Sequence, residues 1–147
     1  MRNLFSIKIM LFFLLLNAIN AYSQSKNATL EFSNIRNKTG FLEISFFKTE
    51  QDFKDEIPFS KMKIAKSAAV NGKMTVQVDL PTGKYGISVL DDENNNGKMD
   101  YSFLGIPKEG FGFSNYYHAG FTKPKLSPFV VAIGSSGVFL KFVLRYI

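Results

Sequence analysis

The stretch Val89–Asn115, VLDDENNNGKMDYSFLGIPKEGFGFSN, governs how the chain is read. It leaves an apolar strand, passes through an acidic, Asn-rich turn, and closes in a Gly/Pro/aromatic segment too irregular for a helix or an ordinary strand. Nothing else in the chain concentrates so many residues that call for a special backbone or a ligand.

Working outward, the segments on either side have an apolar period of two. Upstream, Tyr85, Ile87 and Val89 point one way, and Leu80-Pro81-Thr82-Gly83-Lys84-Tyr85 turns the chain just before them. Pro81 cannot donate to a ladder and Gly83 permits positive φ. A Tyr past such a corner either sends its ring into the core and its hydroxyl to nearby backbone, or is an ordinary half-buried Tyr. Met74, Val76, Val78 and Leu80 form the clearest strand, and Asn71-Gly72 before it is a hairpin signal for a weaker strand over Lys61–Val70. Thr49–Ser60 is a charged surface excursion with one helical turn expected around Asp52–Glu56. Leu30 and Phe32, then Leu42, Ile44 and Phe46, alternate with polar residues across Asn34–Gly40 and predict a β-hairpin. Downstream, Tyr116–Pro128 reads as loop. Phe129–Ile133 reads as a short strand and Val138–Tyr146 as the last one, across a Gly134–Gly137 turn.

About seven short strands joined by Gly, Pro and Asn turns, with no sustained helical period, predict an all-β chain. The expected architecture is a single antiparallel β-sandwich, immunoglobulin-like or transthyretin-like, over residues 24–147. Residues 1–23 read differently. Arg2 and Lys8 flank a basic start, Ile9–Leu16 is unbroken apolar sequence, and Ala21 and Ser23 are small residues two apart, the layout of a cleaved signal peptide. Leu4–Ile19 falls short of the roughly 20 residues that span a bilayer, and Asn17 interrupts it. No membrane span is therefore expected after cleavage, and the expected location is the periplasm or the medium of a bacterium.

Losing residues 1–23 removes two basic residues and no acid, so the net charge falls from +6 to +4. The excess is scattered as single lysines rather than gathered in a stripe, which argues against nucleic-acid binding. The absence of cysteine excludes a disulfide framework and a Cys-based metal or redox site.

Within the central stretch, Asp92, Asn94, Asn96, Gly97 and Asp100 stand at relative positions 1, 3, 5, 6 and 9. Oxygen donors at every second residue, with Gly at the bend, resemble the front of a Ca²⁺ loop, and the backbone carbonyl of Lys98 is the expected main-chain ligand. Position 12 is Phe103 and no helices flank the loop, so an EF-hand is excluded. Glu109, in a Pro-bounded loop, is the candidate distant carboxylate. The competing reading is a plain β-turn, because Asn and Gly tolerate left-handed backbone. Against it stand the charges of Asp91, Asp92, Glu93 and Asp100, which would repel without a cation.

In the aromatic segment, Gly105, Gly110 and Gly112 permit close backbone approach, while Phe111 and Phe113 are expected to anchor a packed loop. The alternative is a ligand platform made with Tyr101, Tyr116 and Tyr117. The acidic turn together with Gly105–Asn115 resembles the signature of a secreted bacterial family, domain-of-unknown-function family 2141. The resemblance covers essentially the whole of residues 24–147, including Leu80-Pro81-x-Gly83-x-Tyr85. It implies a signal peptide and a β-sandwich and carries no established activity. In that family's pattern a His often precedes the first Asp; here the place is taken by Asp91.

Three functions compete. One is a non-catalytic, calcium-stabilised module binding an extracellular or envelope ligand or protein. Another is an envelope-assembly component that pairs through sheet edges. The last is a hydrolase using Asp100 and Glu109, with His118 as the sole histidine. Exposed aromatics grouped beside the acidic turn would favour the first, an open flat edge the second, and a groove uniting His118, Asp100 and Glu109 the third.

Overall fold

The computed structural model describes residues 27–147; the expected signal peptide lies outside them. The described residues fold into eight strands in two sheets. β1 (Ala28–Ser33) lies between β4 (Met74–Val78) and β8 (Val138–Val143) in one sheet. The other runs β3 (Ser60–Ala65), β2 (Phe41–Phe47), β5 (Gly83–Asp92), β6 (Gly110–Phe113), and β7 (Val130–Ile133) also pairs with β5. β7 takes Gly83–Gly86 and β6 takes Ser88–Asp91, so these two short strands lie end to end along one edge of β5.

Period-two alternation sends Leu30 and Phe32, Leu42, Ile44 and Phe46, Tyr85, Ile87 and Val89, and Leu140 and Phe142 into one core between the sheets. A second cluster, Phe47, Phe53, Phe113, Leu126 and Phe129, packs outside that core. Phe53 reaches it from the short helix α1 (Glu50–Lys54), which Thr49 caps by accepting the Asp52 N–H on its hydroxyl. That helical turn lies where the sequence places it, shifted by two residues.

Three expectations need correction. β1 and β2 are not a hairpin: both edges of β1 are taken, by β4 antiparallel and by β8 parallel. Asn34–Gly40 instead crosses between the sheets. Asn34 Nδ2 donates to the Leu144 carbonyl at 2.7 Å, and the Ile35 N–H donates to the Gly72 carbonyl. Gly40, at φ 77°, enters β2 where an added Cβ would stand 2.0 Å from the Asp92 carbonyl. The β1–β8 pairing also means that the strands are not all antiparallel. Next, Asn71-Gly72 makes the expected tight turn, with φ of 50° and 73° and reciprocal Val70–Lys73 bonds, but joins no paired strands. β3 pairs with β2, and β4 with β1. Finally, Gly110–Phe113 is a strand rather than loop. Its glycines face inward, where Cβ atoms would stand 2.3 Å from the Tyr146 ring and 3.0 Å from the Val143 carbonyl.

The Tyr85 corner takes the first of its two expected forms. The ring is buried against Phe46, and the hydroxyl donates to the Thr82 carbonyl at 2.8 Å. Tyr85→Phe should therefore lower the unfolding free energy by about 1 kcal/mol in urea titration. An unchanged midpoint would show that the hydroxyl does not hold this corner.

Candidate functional site: the acidic turn and the groove beside it

β5 ends in consecutive acids, and the pleat sends them to different partners. Asp91, fully buried, pairs with the equally buried ammonium of Lys66 and accepts the Tyr146 hydroxyl at 2.5 Å. Asp92, also fully buried, accepts the backbone N–H of Asn96 at 3.0 Å and of Gly97 at 2.9 Å, with Lys63 Nζ 3.6 Å away. Glu93 takes a two-pronged bond from Arg36 at 2.6 and 2.8 Å and a third bond from Asn37. That charged bond from Arg36 is the main reason the Glu93 carboxyl is held below its ordinary range.

The turn closes on itself. Asn94 Oδ1 accepts the Asn96 N–H, Asn96 Oδ1 accepts the Lys98 N–H, and both amide groups donate to Asp100 Oδ2. Asn95 and Gly97 adopt positive φ, of 59° and 75°. Glu109 folds back as the sequence suggests. Its two oxygens accept the N–H of Glu93 at 3.0 Å and of Asp100 at 3.3 Å, clamping both ends of the turn. Burial pushes its carboxyl above the usual range, and the two backbone donors oppose that rise.

The expected repulsion between the four acids is thus met by protein groups. Lys66, Arg36 and Lys63 neutralise one side, while backbone and Asn N–H groups serve Asp92, Asp100 and Glu109. Among the described residues no three His, Cys, Asp or Glu side chains gather around a common point. Asn94 and Asn96 are exposed and Asp100 is half-buried. Sequence reading missed Glu43, which is buried on β2 and accepts Lys61 Nζ at 2.5 Å, with Lys63 at 3.8 Å. The signal was present: Lys61-x-Lys63 alternates on β3, and Lys63 pairs in register with Glu43.

Beside the turn, a groove of about 360 Å³ lies on the outer face of the five-stranded sheet. Its floor includes Ser45, Ser88 and Leu90. Lys98, Tyr101 and Pro107 line it from the turn and the segment after it, and His118, Phe121 and Lys123 from the loop after β6. Phe111 and Phe113 line it, although Phe113 is mostly spent in the second aromatic cluster. Of the other platform candidates, Tyr116 packs against that cluster, and Tyr117 is exposed but does not line the groove. His118 donates from Nε2 to the Thr122 carbonyl at 2.6 Å, and its Nδ1 lies 3.5 Å from the Tyr116 hydroxyl. Neither Asp100 nor Glu109 lines the groove, so the triad that would signal a hydrolase is not assembled there.

A bacterial family described as "Uncharacterized protein conserved in bacteria (DUF2141)" matches residues 30–138. The chain belongs to that family. No curated protein and no solved structure matches it. The matched span of this DUF2141 chain runs from β1 into the start of β8, and so includes the acidic turn, Glu109 and β6. Asp91, at the place where the resemblance expects a His, is the buried partner of Lys66.

The sign of the Glu93 shift gives a pH prediction. Its folded-state value lies below the ordinary 4.5, so its stabilisation is present above that value and is lost as pH falls through the folded one. Thermal melts across acidic pH should fall less steeply for Glu93→Gln than for the wild type. Parallel acid limbs would show that the Arg36 pair contributes nothing.

Proposed function

We propose that the chain is exported to the periplasm or the medium and works there as a non-catalytic binding module on an immunoglobulin-like or transthyretin-like sandwich. Support for export is the pattern of residues 1–23; among the described residues no helix is long and apolar enough to cross a membrane. The observation that carries the binding role is the groove, concave, walled by aromatic side chains and floored by hydroxyls next to the Glu43–Lys61 pair. Such a lining suits an amphipathic extracellular or envelope ligand with one flat apolar face and one polar edge. Assembly through sheet edges is the second reading, favoured by β3 and β4, which each have one strand neighbour. Lys61 and Lys63 sit on β3, a placement that discourages edge pairing, so ligand binding ranks first.

The groove is testable with 8-anilinonaphthalene-1-sulfonate titrated into isotope-labelled protein. Amide shifts should concentrate at Ser45, Ser88, Leu90 and Phe111, and Ser88→Trp, which fills the floor, should abolish them without lowering the melting temperature. Shifts confined to other surfaces would sink the proposal.

Ca²⁺ belongs to the proposal as an occupant of the outer rim of the turn, at Asn94, Asn96 and Asp100, with the Lys98 carbonyl nearby. Asp92 and Glu109 act there as backbone clamps. Thermal unfolding in millimolar calcium, in magnesium and in EDTA should show a calcium-selective rise that Asp100→Ala removes. Ligand at about 100 times its dissociation constant adds about 2.7 kcal/mol. Identical melts in the three solutions would remove calcium from the reading.

A further inference from the structure

We propose that the tip Tyr101–Ile106 is an anchor that inserts into an anionic lipid surface. Apolar side chains of this size are normally covered, yet Phe103 is 96% exposed and Leu104 69%, with Tyr101 and Ile106 exposed beside them. A contiguous exposed apolar patch marks a surface that something covers.

Much of the backbone at the base of the tip is internally paired. Tyr101 and Pro107 form a bridge. The Ser102 N–H donates to the Ile106 carbonyl at 2.8 Å, and the Gly105 N–H to the Ser102 carbonyl at 2.9 Å. The Ile106 N–H is taken by the Ser102 hydroxyl, and the Lys108 N–H by the Asp100 carbonyl. These polar groups stay paired when the side chains leave water, which lowers the cost of bringing this backbone to a lipid surface.

Shape and charge select the occupant. A Cβ placed on Gly105 would meet nothing within 4 Å, so open space lies on that side of the turn. A fluid bilayer accommodates such a convex projection, whereas a protein partner would need a matching cleft. Lys98 and Lys108, both exposed, flank the tip. The acids nearest in sequence are engaged elsewhere, Glu109 on two backbone N–H groups and Asp100 on the Asn94 and Asn96 amides. An apolar point with a lysine on each side is complementary to an anionic interface. Phe121, 87% exposed and capped by the Arg145 guanidinium, lines the same groove as Tyr101 and offers a second apolar contact.

The chain has no tryptophan, so Phe103→Trp supplies a single reporter. Its emission should shift to the blue on adding vesicles of equimolar phosphatidylglycerol and phosphatidylcholine, and stay unchanged with phosphatidylcholine alone. In flotation with the mixed vesicles, the double variant Phe103→Ser, Leu104→Ser should bind more than about tenfold more weakly than wild type at an unchanged melting temperature. Lys98→Glu and Lys108→Glu should each reduce partitioning at least roughly fivefold. All variants carry the same N-terminus, so the differences report on the tip. Equal binding by the double variant, or equal affinity for both vesicle types, overturns the proposal. So does a concentration-dependent dimer abolished by the double variant without vesicle binding, which would assign the tip to self-association.

Discussion

A buried ammonium facing a buried carboxylate, Lys66 against Asp91, is the constraint to which the rest of the molecule is fitted. Neither side chain retains contact with water. Charges so placed are tolerated only when each has further hydrogen-bond partners, and removing one member of such a pair typically costs about 3–5 kcal/mol. The partners are Asn37 on the crossover from β1 to β2 and Tyr146 near the end of the chain. Four separate segments therefore meet at one pair: the crossover, the turn after β3, the end of β5 and the C-terminal tail. Arg36 extends the knot, lying over the Tyr146 ring while gripping Glu93. Burial and the Asp91 acceptor raise the Tyr146 phenol, which keeps it protonated as a donor across the working pH range.

With that knot in place, the acidic turn becomes a structural device in its own right. Asp91 and Glu93 share the side of Lys66, Asn37 and Arg36, Asp92 binds the backbone of the turn, and Glu109 closes it by accepting the Glu93 and Asp100 N–H groups. The chain between Asp100 and Lys108 is thereby held out from the sheet with its apolar side chains outward. The same projection walls the groove. The proposed ligand site and the proposed lipid contact are thus two faces of one excursion, whose ends Asp92 and Glu109 hold through backbone N–H groups.

Much of this was legible from local sequence. Two-residue alternation located β1, β2, β4, β5 and β8 and most of the core between the sheets, because one face of each strand is buried and the period is a strict two, while Ala-rich and short apolar runs marked β3 and β7. The Tyr85 corner and the return of Glu109 to the turn were also readable, from Pro81, Gly83 and the Pro-bounded loop. Strand partners were not. Asn34–Gly40 has turn chemistry whether the chain folds back beside β1 or crosses to the other sheet, and the outcome depends on β8 reaching the edge of β1. β6 escaped notice because its inward residues are glycines, chosen for the closeness of Tyr146 and Val143, so the alternation appeared as Gly and Phe rather than polar and apolar. The protein partners of the acids were hidden for a related reason. Lys66, Arg36 and Lys63 lie far from the turn in sequence, and only the tertiary fold brings them to its acids.

The parallel pairing of β1 with β8 bears on when the domain can form. It joins Ala28 to Val138, nearly the two ends of the described chain. Until Val138–Val143 arrives, one edge of β1 has no neighbour and the core lacks Leu140 and Phe142. Contacts of such long sequence separation slow folding, since the loop must close before any bond rewards it. A chain emerging N-terminus first is therefore kept from premature closure by its own topology. That delay would suit the export proposed above, in which the chain crosses a membrane before it becomes compact.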